Sequence, residues 1–125
     1  MRYGPGEMAH PIYKICTHAE WTAAAERGRY EGSSVDARDG FIHFSTAPQV
    51  AETAAKHFAG QTDLVLVTVD AGRLPVGALK WEASRGGALF PHLYGPLPLE
   101  AVIRIDPLPW YDGEGHRFPG GVVDA

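Results

Sequence analysis

A single cysteine, Cys16, is all that the 125 residues offer, so neither an intrachain disulfide nor a cysteine-built zinc cage can form. Basic residues are in deficit, with 11 Lys+Arg against 15 Asp+Glu and a formal net charge of −4. That balance argues against a duplex nucleic-acid partner, which calls for a basic footprint. Long apolar runs are missing too. The longest aliphatic stretch, Leu64–Val67, falls far short of the roughly 20 residues that span a bilayer, so no membrane partner is expected. The first residues carry no apolar segment of signal-peptide type, and a soluble, cytoplasmic protein is expected. HExxH, CxxC, Walker and GxGxxG patterns are absent, which leaves no metal site and no P-loop or dinucleotide-fold chemistry to expect.

What is present is 45% apolar residues, 15 glycines and 10 prolines, the makeup of one small domain with short elements and many turns. Residues 1–10 read as a flexible N-terminus, 11–106 as the domain and 107–125 as a loop-rich C-terminal tail. Pro11–Cys16 alternates like a strand. Thr17-His18-Ala19-Glu20 and Thr46-Ala47-Pro48-Gln49 are capping-box patterns that open two helices, ended by Gly28 and Gly60. Gly32–Gly40 reads as a polar loop and Phe41–Phe44 as a strand. Asp63–Asp70, apolar in its middle on both faces, is the strand expected at the centre of a sheet. Leu79–Glu82 and Ala101–Asp106 complete the strands, with a glycine loop at Ser84–Gly87. The order predicts an α+β fold, a single small domain with a mixed or antiparallel split sheet and two helices in the N-terminal half.

Two stretches, 40–51 and 86–99, contain no side chain charged at neutral pH apart from their histidines. Each holds one histidine among aromatics: Phe41-Ile42-His43-Phe44 and Phe90-Pro91-His92-Leu93-Tyr94. An imidazole in such a setting either satisfies a buried backbone group or faces a cleft. On a strand His43 and Ser45 share a face, at the junction where the second helix begins. The free amides of a helix start suit an anion, and Ser45, Thr46 and Gln49 add neutral hydrogen-bonding groups there. Capping alone also accounts for Thr46 and Gln49, at about 1 kcal/mol. A cleft-facing His43 predicts a stability change of only about 0.5 kcal/mol for His43→Ala.

The segment Lys80–Gly87 concentrates further chemistry. Trp81 offers a flat face for a base, Glu82 a carboxylate, and Arg85 beside two glycines an anion-binding concavity. The plain alternative is a hairpin with a surface Glu–Arg pair worth 0–1 kcal/mol.

The runs DGFIHFSTAPQV and LKWEASRGGALFPHLYGPL, with IYKI, Trp21 and the Ala101–Ile105 strand, resemble the bacterial family known as domain of unknown function 952. The resemblance implies a fold related to the ADP-ribosyltransferases, in particular to their histidine-bearing branch with the RNA 2′-phosphotransferases. His43-Phe44-Ser45 resembles that branch's H-G-[ST] pattern, with Phe44 in place of glycine. What this implies is a small-molecule nucleotide ligand, with no cofactor required and NAD as a candidate substrate. His43, Glu82 and His92 would be the catalytic set. His43 and His92 would face ribose, Trp81 or Tyr94 would stack on the base, and Glu82 would oppose a developing positive charge. Ser45, Thr46 and Arg85 would meet the phosphates, with Gln49 beside them. Two other readings stand beside this one: a non-catalytic module for a nucleotide or small anion, and an interaction domain with no small-molecule site. The oligomeric state is not legible.

Overall fold

The computed structural model describes residues 11–122; the expected flexible N-terminus, 1–10, lies outside the described residues. In chain order the elements are β1 (Pro11–Thr17), α1 (His18–Arg27), β2 (Arg29–Tyr30), α2 (Ser34–Asp39), β3 (Ile42–His43), α3 (Ala47–His57) and β4 (Leu64–Asp70). They continue with β5 (Leu79–Ala83), β6 (Leu89–Leu93), β7 (Leu97–Pro98), β8 (Val102–Pro107), β9 (Trp110–Tyr111) and β10 (Gly115–His116). The architecture is the expected α+β fold.

β4 is buried at every position and lies between β1 and β8 in an antiparallel sheet. Period-2 alternation divides its neighbours into two cores. Ile12, Cys16, Val65, Val67 and Val69 join Ile42, Phe44 and Leu93 on one side. Tyr13, Ile15, Leu64 and Leu66 meet Val50 and Ala54 of α3 on the other. A second antiparallel sheet has the order β3-β6-β5. The two sheets are joined by a bridge in which Tyr13 N donates to Ser45 O at 2.8 Å and Ser45 N to Tyr13 O at 2.9 Å. This is the split expected from the sequence.

The first capping box forms as read: Glu20 N donates to Thr17 Oγ1 at 3.0 Å and Thr17 N to Glu20 Oε1 at 2.9 Å. Gly28 closes α1 in the left-handed conformation. Phe58, two residues before the expected Gly60, caps α3.

Two features depart from expectation. The polar run 32–40 is not all loop, because Ser33 and Asp36 form a third capping box and start α2. Leu89–Leu93 is the middle strand of the second sheet despite Pro91, whose carbonyl accepts from Phe44 N at 3.0 Å. A residue's N and C=O point to the same side of a strand, so the amide that proline lacks faces the point where β3 ends. The ladder bond that proline cannot make is therefore one beyond the end of β3, opposite Phe44. The segment after 106 packs on the body: Leu108 and Val122 are buried in the second core with Phe118 against it, and Leu108 N donates to Leu64 O at 3.0 Å.

Candidate functional site

β3 and β6 place His43 directly opposite His92, so both imidazoles leave the same face of the sheet. Their ring centroids are 5.5 Å apart, edge to face. Phe41, on the same face, stacks on His92 at 4.1 Å and lies 4.6 Å from His43. On the other side of β6, Lys80 is paired with His92 and Glu82 with Phe90, which brings Lys80 and Glu82 to this face as well.

Each histidine is held by a carboxylate through Nδ1. Glu82 Oε1 accepts from His92 Nδ1 at 2.7 Å, and Tyr94 OH donates to both Glu82 oxygens, at 2.9 and 3.1 Å. The hydrogen bonds from His92 and then Tyr94 hold the Glu82 carboxyl below its ordinary range, while that carboxylate pushes the Tyr94 phenol up. His92 is buried, yet among the described residues its Nε2 has no hydrogen-bond partner, and its ring lines a cleft.

His43 is fixed at both ends. Its Nδ1 lies 2.6 Å from Asp36 Oδ1 and its Nε2 3.0 Å from Asp39 Oδ2. Asp36 is 2% exposed and also receives Lys14 Nζ at 2.7 Å, His43 N at 3.1 Å and Ser33 N at 2.9 Å. Burial alone would raise its pKa; the His43 hydrogen bond, the Lys14 charge and hydrogen bond, and the Ser33 amide outweigh burial and hold Asp36 well below the usual carboxylate range. Lys14 reaches this place because it alternates onto the same face of β1 as Ile12 and Cys16. Gly32 permits the approach of α2: its φ is +101°, and a Cβ there would meet Asp36 Cβ at 2.8 Å.

The cleft, about 390 Å³, is a trench with α2 and α3 as its walls, and Lys14, His43, Ser45, Thr53 and His92 are among its lining residues. Its size falls within the range of small-molecule sites. Arg38 and Lys56 also line it, ion-paired with Asp39 at 3.1 Å and Glu52 at 3.2 Å.

The structure brings together His43, Glu82, His92 and Tyr94, and sets Ser45 in the adjoining cleft. Ser45 Oγ is 2.8 Å from Thr53 Oγ1, which ties it to α3. It does not bring in Trp81, which is opposite Pro91 on the other face of β5 and 47% exposed. Nor does it free Gln49. That side chain accepts from Thr46 N at 3.0 Å and donates to Leu89 O at 2.8 Å, so Thr46 and Gln49 serve the helix start and do not line the cleft. The Arg85 side chain lies outside what the structure describes. Lys14, Asp36 and Asp39 are the site residues that sequence reasoning missed. The one local signal was the S-x-x-D pattern at Ser33–Asp36, which marks a helix start. Cys16 is buried, and burial, then the Glu20 charge, pushes its thiol up to about 12.

The family model described as "Protein of unknown function (DUF952)" matches residues 15–105. The chain belongs to this family. Among solved structures, it is similar to the crystal structure of protein CC0527 from Caulobacter crescentus, with 53% identity and a TM-score of 0.81 over 86% of this chain and 93% of that one. The solution NMR structure of CC0527 is 56% identical with a TM-score of 0.73, over 85% of this chain and 90% of that one. None of the curated proteins matches the chain. Among the described residues, no group of histidine, cysteine and acidic side chains is placed to hold a metal ion, and no helix is long and apolar enough to cross a membrane.

Proposed function

We propose that the trench between α2 and α3 binds a nucleotide of the NAD or ADP-ribose class, with His92 meeting a sugar hydroxyl. The observation that carries this reading is the Nε2 of His92. It has no hydrogen-bond partner among the described residues, in a ring anchored at its other nitrogen, stacked on Phe41 and lining a cleft of about 390 Å³. Such a nitrogen is a fixed hydrogen-bonding point for a polar ligand. The rim cations Arg38 and Lys56 are exposed and ion-paired. Pairs of that sort contribute about 0–1 kcal/mol, so a diphosphate can compete for them at little cost. The resemblance to the histidine-bearing ADP-ribosyltransferase branch supports a nucleotide over other anions of similar size.

Ligand recognition without turnover is the second reading, and one observation favours it. The carboxylates nearest the histidines are engaged, Glu82 by His92 and Tyr94, Asp36 by Lys14 and His43. A free carboxylate to face a developing sugar cation is what these contacts remove, and Glu82 is better placed to hold His92.

Isothermal titration with NAD and ADP-ribose tests the site. Saturable binding is expected, weakened about tenfold by His92→Ala through loss of one hydrogen bond of ~1.4 kcal/mol. No saturable heat with either ligand would exclude the nucleotide reading.

A further inference from the structure

We propose that the protein pairs with a second copy of itself through the free edge of β5, in the register that sets Lys80 opposite Glu82. The pairing does not depend on what the cleft binds.

β5 is the outer strand of the β3-β6-β5 sheet, and among the described residues no strand pairs with its other edge. The ladder on the inner side decides which backbone groups face outward. Tyr94 N donates to Ala78 O at 2.8 Å and Ser84 N to Ala88 O at 3.0 Å. Bonded and non-bonded pairs alternate in an antiparallel ladder, so Lys80 and Glu82 turn their amides and carbonyls toward His92 and Phe90 of β6. Leu79, Trp81 and Ala83 turn theirs to the free edge. Pro91, opposite Trp81, has no amide to offer it.

Such an edge is a template for another strand, and its side chains select which one. For a second β5 running antiparallel about a two-fold axis, outward groups must meet outward groups. The registers that overlap most of the strand then centre on Lys80, Trp81 or Glu82. Centred on Lys80 or on Glu82, the strand opposes like charges, which is destabilising. Centred on Trp81, it sets Leu79 opposite Ala83 and Trp81 opposite itself, each pair exchanging both backbone bonds. Lys80 then faces Glu82 on either side of the axis, in the non-bonded pairs where side chains come closest. Among the described residues Lys80 makes no ion pair, and its ammonium lies 6.0 Å from the Tyr94 ring. Trp81 and Leu89, 47% and 55% exposed, share the opposite face, where pairing brings the two Trp81 rings together. β8, the outer strand of the first sheet, is less suited: it ends in Pro107, and its Arg104 is held by Asp106 at 2.9 Å.

The two-fold axis stands perpendicular to the joined sheet, so both clefts open on one face. Lys80 of the second copy comes to lie against Glu82, the carboxylate that holds His92, and so joins each site.

Sedimentation velocity of the full chain from about 1 μM to 1 mM tests this, a range suited to an interface below the ~1,000 Å² of stable complexes. A monomer–dimer equilibrium is expected. Lys80→Glu, which sets carboxylate against carboxylate, should weaken it at least about tenfold. Trp81→Pro removes an outward amide and the ring but no bond to β6, and should be monomeric throughout. Amide exchange reads the register: the Leu79, Trp81 and Ala83 amides should slow as concentration rises, while those of Lys80 and Glu82 should not change. A chain still monomeric at about 1 mM overturns the proposal. So does a dimer as tight in Lys80→Glu, an exposed position that carries the test whatever the folding of Trp81→Pro. A dimer whose formation leaves the outward amides unchanged overturns it as well.

Discussion

Asp36 keeps its charge where a lone carboxyl would give it up. It is 2% exposed, and what holds it ionised is the group of donors from Lys14, His43 and Ser33. Breaking such a buried pair from one side costs about 3–5 kcal/mol, so Asp36→Asn should lower stability by that order in urea denaturation at pH 7. The folded pKa is lowered. Its stabilisation is therefore complete above the ordinary carboxylate range, near pH 4, and is lost as pH falls through that range toward the folded value. The parent should lose stability over that acid interval and Asp36→Asn should lose less; parallel acid limbs would refute the role given to this carboxylate. The same contacts revise the expectation for His43. Removing a ring held by two carboxylates forfeits interactions with charged groups, worth about 1.5–3 kcal/mol at the buried Asp36 end and less at Asp39, which is 33% exposed. His43→Ala should cost about 1–3 kcal/mol, not 0.5.

At the level of elements, legibility followed from how local the cause was. β1, α1 and β4 were read because alternation, a capping box and a doubly buried run are each contained in a few neighbouring residues. β6 was hidden by Pro91, whose missing amide matters only relative to where β3 stops. α2 was hidden by its polarity: only Asp36 of its six residues is buried, and Val35 is 46% exposed. Its attachment is largely polar and depends on a close approach at Gly32. This yields a paired prediction. Gly32→Ala forces both a left-handed φ and a Cβ contact of 2.8 Å, together costing roughly 2–4 kcal/mol. Gly40→Ala has a φ of +87° and nothing within 4 Å, so the backbone term alone applies, about 1 kcal/mol. Equal melting temperatures for the two variants would remove the packing argument. The site shows the same limit. His43 and His92 were found as a pair because each sits in an uncharged aromatic stretch, whereas Lys14 and Asp36 carry no local mark of their meeting.

For the molecule as a whole, the question is where the cooperative unit ends. The sequence placed the domain boundary near residue 106, on the density of proline and glycine that follows. Those residues bend the chain without releasing it. Leu108 is fully buried beside Leu66 and Val50, and its amide donates to Leu64 of the central strand. Further on, His116 Nε2 meets Gln61 O at 2.9 Å, Trp110 packs on His116, and Val122 returns to the second core. This segment covers the face of the β1-β4-β8 sheet that α3 leaves open, opposite the face that carries the second sheet. Its loss would therefore expose β4 rather than merely shorten the chain. Leu108→Ala should destabilise by about 2–5 kcal/mol, as for other buried leucines. The denaturation transition should remain single, because residues on both sides of position 106 share one core. A variant that melts within about a degree of the parent, when ~1 kcal/mol is worth several degrees at this size, would return the segment to the status of a tail.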